Sequence, residues 1–135
     1  MKQIIFILFL LFFISCSEKE ETAKLLVINF FEIYETKGIN DAVDNIFQTN
    51  EHIIQQSPDK IESIKETWCS LVKEIGNYHG YEIISEYSLG KCLIHYCCVV
   101  KYEKQPVRFN FIFYKYSDKW VIYSFNFDNN IIDEV

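Results

Sequence analysis

The order of apolar and polar positions divides the chain into three stretches. Ile4 to Ile14 is an unbroken apolar run of eleven residues behind a short basic start, Met1-Lys2. From Thr22 the apolar residues take a helical period: Ala23, Leu26, Val27, Phe30, Phe31 and Tyr34 form one stripe, which predicts a helix over about residues 22–37. Gly38 suits the position after its end, where positive φ is common. Asn40 or Asp41 is expected to cap a second helix that buries Ala42, Val43, Ile46 and Phe47 and ends near Asn50. Ser57-Pro58 opens a third, with serine at the N-cap, proline in the first turn and the stripe Ile61, Ile64, Trp68, Leu71, Val72 and Ile75. Gly76-Asn77 stops it.

After Gly80 the period changes to two. Strands are expected over about residues 81–87, 92–102, 107–116 and 120–127, joined by links short enough to make neighbours antiparallel. A three-residue loop at Ser117 to Lys119 sets Phe113 opposite Tyr123, Phe111 opposite Phe125 and Phe109 opposite Phe127, one apolar face. On the second strand the same parity puts Ile94, Tyr96, Cys98, Val100 and Tyr102 inside. The other face then carries His95, Cys97, Arg108, Asn110, Ile112, Tyr114, Trp120 and Ile122, a mixed surface of the kind that a partner or a tail covers. The expected fold class is α+β: three N-terminal helices packed on a four-stranded antiparallel meander.

Composition agrees with a packed domain, since half of the residues are hydrophobic and 17% are aromatic. Length allows one domain, assigned to residues 22–135. Formal charge is −6; removing residues 1–15 takes one lysine and no acid, leaving 12 basic against 19 acidic residues. Nucleic acid is a poor partner for that balance. The lysines are scattered along the sequence, with no polybasic stripe to hold anionic headgroups.

Attachment to a membrane is expected from the amino terminus. The eleven-residue run is too short to span a bilayer, which takes about 20 residues, and has the layout of a signal peptide. Phe13-Ile14-Ser15-Cys16 resembles the lipobox of bacterial lipoproteins. The resemblance implies cleavage after residue 15, acylation of Cys16, and a lipidated tether over residues 16–21. Several acyl chains on one cysteine exceed the two signals that stable anchoring needs. Ser-Glu-Lys-Glu-Glu after the cysteine looks like a surface-export tag of Gram-negative lipoproteins; it also reads as a solvated linker. The implied location is the cell envelope, at the outer membrane of a Gram-negative bacterium.

The order of elements, with Phe113-Tyr114, Asp118-Lys119-Trp120 and Phe125-Asn126-Phe127-Asp128, resembles the cystatin-like roll of the nuclear transport factor 2-like superfamily and its small lipoprotein members. That resemblance implies a cone-shaped pocket for a small hydrophobic molecule, here lined by Tyr96, Tyr102 and Tyr123, and in a few members lyase or isomerase chemistry. Such enzymes place an Asp or His inside the cone. The inner face read above offers tyrosines without a proton-abstracting base, so catalysis is not the favoured reading and no catalytic residue is assigned.

Of the histidines, His52 falls in a link between helices, His79 follows the third helix and His95 lies on the outer face; none has a metal-ligand spacing, and no cofactor is expected. Four cysteines remain beside Cys16. Cys69, Cys92, Cys97 and Cys98 read either as small buried hydrophobes or as disulfide partners, with Cys69–Cys98 the preferred pair because only Cys98 of the adjacent two faces the helices. Two functional classes follow. One is a non-catalytic, membrane-anchored domain that binds an envelope protein or component; the alternative is a pocket protein for a small apolar ligand.

Overall fold

The computed structural model describes the backbone of residues 18–131 and 135, with side chains from Thr22 onward. The segment expected to be a signal peptide and Cys16 lie outside the described residues. Four helices come first: α1 (Glu18–Lys37), α2 (Ile39–Phe47), α3 (Glu51–Gln56) and α4 (Pro58–Ile75). Four strands follow: β1 (Tyr78–Leu89), β2 (Leu93–Tyr102), β3 (Pro106–Tyr114) and β4 (Val121–Asp128), in one sheet of order β1-β2-β3-β4 with every neighbour antiparallel. The class is α+β with helices on one face of an open meander. No helix among the described residues is long and apolar enough to cross a membrane.

Several details differ from the pattern-based reading. The backbone of α1 starts at Glu18, so the last four residues assigned to a tether are helical. Gly38, at φ 101°, is itself the N-cap of α2, and its carbonyl accepts from Ala42 N–H; neither Asn40 nor Asp41 caps the helix. A fourth helix, α3, occupies the expected link. It is six residues long with no fully buried side chain, too short for periodicity to register. Asn50 caps it, with Oδ1 accepting from Ile53 N–H at 3.4 Å. Pro58 does stand in the first turn of α4, but Ser57 makes no side-chain cap bond.

The corner between α2 and α3 is tied to the sheet. Thr49 Oγ1 accepts from Ile122 N–H at 2.9 Å and donates to Ile46 O, and Asn50 Nδ2 donates to Ile122 O at 2.8 Å. One pair of outward-facing backbone groups on the β4 edge is thereby satisfied, which blunts the edge against stray strand pairing.

The core lies between helices and sheet and is built largely of rings. Phe30 stacks on Trp68 at 5.7 Å between centroids and meets Phe111 and Phe125 at 5.1 and 5.3 Å, and Phe31 lies on Tyr81 at 3.8 Å. Phe109, Phe111 and Phe113 are fully buried beneath them. Phe109 pairs with Phe127 and Phe111 with Phe125, as the alternation requires. The register then changes at a bulge between Ile112 and Phe113, so Phe113 faces Ile122 rather than Tyr123.

Candidate functional site

The inner face was the expected place for a ligand. Tyr96 and Tyr102 do lie there, buried. Tyr96 donates its hydroxyl to Glu86 Oε1 at 3.3 Å. Tyr102 accepts from the Trp68 indole N–H at 2.9 Å and shares a 3.0 Å hydrogen bond with the Tyr34 hydroxyl. Beside them Tyr78 donates to Glu35 Oε1 at 2.7 Å. Burial pushes the hydroxyls of Tyr34, Tyr78 and Tyr102 above their ordinary value; for Tyr78 the Glu35 carboxylate adds to the effect. These phenols therefore stay protonated at neutral pH. What they do is satisfy one another and the indole, so that polar atoms sit at the end of an aromatic core without an orphan.

Tyr123 is a correction to the expected lining. The bulge makes it the extra residue of β4, and its ring is 63% exposed. Ile122, expected outside, is buried under the helices, and Trp120, also expected outside, joins the same core. Sequence alternation failed here because one inserted residue reverses the facing of the positions before it, Trp120 and Ile122, while Phe125 and Phe127 after it keep theirs.

Of the four cysteines, Cys69 is half-buried, Cys92 is exposed and Cys97 and Cys98 are buried, and no disulfide joins Cys69 to Cys98 in this structure. Burial, with Cys97 adjacent, pushes the Cys98 thiol up to about 12, which suppresses the reactive thiolate. His52 lies within α3 rather than in a link. His79 Nε2 stands 3.8 Å from Glu103 Oε1 at the surface. Among the described residues no group of three or more His, Cys, Asp or Glu side chains converges as a metal site would require.

A groove of about 300 Å³ opens on the helical side, between α2, α3 and α4. Phe47, Ile54, Pro58 and Ile61 form its apolar part and Asp44, Gln48 and Glu62 its polar part. Lys65 crosses from Asp44 to Glu62 at 2.7 and 2.8 Å, and the two carboxylates, Asp44 first, raise its pKa.

The outer face of the sheet has the richest surface chemistry. Cross-strand registers arrange it in rows. The row Glu82-Val99-Arg108-Asp128 ends in a two-pronged ion pair, Nε to Oδ1 at 3.1 Å and Nη2 to Oδ2 at 2.9 Å, which holds the Asp128 carboxyl below its ordinary range. Next, His95 Nε2 meets Asn110 Oδ1 at 2.9 Å and Asn110 Nδ2 donates to Asn126 Oδ1 at 3.2 Å; the chain is consistent if His95 Nε2 carries the proton. The last row, Leu89-Leu93-Tyr114-Val121, is apolar. The face thus grades from ionic to apolar toward the end where the β1–β2 turn and the β3–β4 loop lie. Sequence alternation revealed that this face was mixed; the gradient required the registers. Set against known proteins, the chain matches no family, no curated sequence and no solved structure.

Proposed function

We propose that the protein is a lipoprotein of the bacterial envelope, acylated on Cys16 at the outer membrane, whose domain is a cystatin-like roll that binds a protein or envelope component without catalysing a reaction. The anchored part rests on the sequence Phe13-Ile14-Ser15-Cys16 behind an apolar run. The observation that carries the binding part is the filling of the space between helices and sheet. Phe30, Phe31, Trp68, Phe109, Phe111 and Phe125 touch ring to ring there, which favours recognition from the outside of the sheet. Cys16→Ala, expressed in a bacterial host and fractionated beside wild type, tests the anchor: wild type enters the membrane fraction as a lipid-modified, processed chain. A variant that is still processed and membrane-bound refutes it.

A second reading, a small apolar ligand, is favoured by the groove at Phe47, Ile54 and Ile61 rather than by the inner tyrosines. Mass spectrometry of the protein released intact from its host tests it, with a retained small molecule in its favour and an Ile54→Trp variant that retains the same molecule against it.

A further inference from the structure

Five of the nine large apolar side chains exposed among the described residues, Tyr87, Leu89, Tyr114, Tyr116 and Tyr123, gather at one end of the sheet. That end carries the β1–β2 turn and the β3–β4 loop, bound together by Lys115 N–H donating to Cys92 O at 2.8 Å. The two connections carry Lys91, Lys115 and Lys119, with Asp118 the only acid within them. Outside these three lysines and one aspartate, the chain after residue 15 has 9 basic against 18 acidic residues. Lysines far apart in sequence thus become a local basic cluster on an acidic protein. Lys115 Nζ lies 5.7 Å from the Trp120 ring centre. Tyrosine and lysine side chains of this kind, apolar along their length and polar at the tip, suit the headgroup layer of a bilayer.

The direction of α1 adds an independent observation. Its Tyr34 meets Tyr102 at the far end of β2, and one turn earlier Phe30 meets Phe111, which pairs with Tyr96 in the middle of that strand. Going back along α1 therefore moves toward Leu93 and the basic, aromatic end. Cys16 precedes the first residue of α1 by two positions.

We propose that this end of the sheet is a second membrane contact, docking on an anionic lipid surface through Lys91, Lys115 and Lys119 with Tyr114, Tyr116 and Leu89 entering the headgroup layer. It rests on the lipid-anchored reading above and adds an orientation: the domain sits with its two hairpin connections toward the bilayer and the β2–β3 turn away from it.

Cys92, an exposed thiol at this end, supplies the probe site. The full lipid-modified protein, with Cys69→Ser to leave one accessible thiol, is labelled with an environment-sensitive fluorophore. It is then reconstituted in vesicles of phosphatidylcholine alone or with phosphatidylglycerol. The expected result is a blue-shifted emission with phosphatidylglycerol only, and none from a label at Lys104→Cys, in the opposite turn, in a Cys69→Ser/Cys92→Ser background. Lys91→Glu and Lys119→Glu, both on exposed positions, are each expected to weaken the contact about fivefold. Equal shifts in the two lipids, equal shifts at the two turns, or a water-like Cys92 in both vesicles would overturn the proposal. So would a shift that appears only when envelope proteins are added, which would make this end a protein-docking surface. Flotation separates the two claims: a protein that floats with its vesicles while Cys92 stays wet refutes the contact alone, whereas one that does not float refutes the anchor.

Discussion

The two faces of the sheet share the same four strands and both carry aromatic residues, far more of them inside, yet they do opposite things. Inside, Phe109 and Phe111 are fully buried against Phe30, and Tyr34, Tyr102 and Trp68 pair their polar atoms with one another. Outside, rings such as Tyr87, Tyr116 and Tyr123 stand in water, and an ion pair and an amide ladder run between the strands. The lesson is that aromatic content does not locate a binding site in this domain. Packing uses the rings on one face, and the other retains them in positions where a second surface can reach them.

Substitutions can break this contrast, beginning with the inner face. Phe30→Ala removes the ring at the centre of the aromatic cluster, and Ile122→Ala removes the side chain that the bulge turns inward. Losses of about 3–5 and 2–5 kcal/mol respectively are expected in urea unfolding. A loss below about 1 kcal/mol for Ile122→Ala would place that side chain outside after all.

Next in size is Tyr102→Phe. It keeps the ring and removes the oxygen that accepts from the buried Trp68 N–H, so a loss of about 1–3 kcal/mol is expected, together with a change in tryptophan emission. No loss would mean that water replaces the hydroxyl.

On the outer face the effects shrink. Arg108 and the backbone N–H of Asn130 hold the Asp128 carboxyl below its ordinary value, opposed by partial burial. Since the folded value is the lower one, the contribution is complete above the unfolded value of about 4 and is lost as pH falls through the folded value. The carboxylate is well exposed, which screens the pair, so the difference between wild type and Asp128→Asn should stay under about 1 kcal/mol at neutral pH and vanish in acid. Acid titrations of stability for the two proteins check it. A difference that grows on acidification would reverse the assigned sign.

Smallest of all is Tyr123→Ser, expected to change stability by less than about 0.5 kcal/mol although its neighbour Ile122 is a core residue. The pair sharpens the register of β4 more directly than any single variant.

Much of the architecture was legible in the amino-acid order. The stripes of α1, α2 and α4 and the alternation of β2 and β3 predicted which side chains would be inside, because Phe30, Ile46, Trp68, Tyr96 and Phe111 each repeat at the period of their element. Two kinds of feature escaped. Short local structure did: α3 is shorter than two full turns and carries no buried stripe, so nothing periodic announced it. Register did as well, because the bulge that sends Tyr123 out and Ile122 in depends on how β4 meets Phe113 and on the hold that Thr49 and Asn50 have on Ile122. The pocket lining expected at Tyr123 failed for that reason, while Tyr96 and Tyr102 were placed inside correctly.

By itself the sequence determined the class of fold and the inner faces of α1, α2, α4, β2 and β3, which follow from patterns within a few neighbouring residues. Only the tertiary structure decided that the core rings close on one another, that the outer face grades from ionic to apolar, and that Lys91, Lys115 and Lys119 share one end of the sheet. Those properties depend on segments far apart in the chain being folded into one register, and local periodicity carries no record of which distant residues meet.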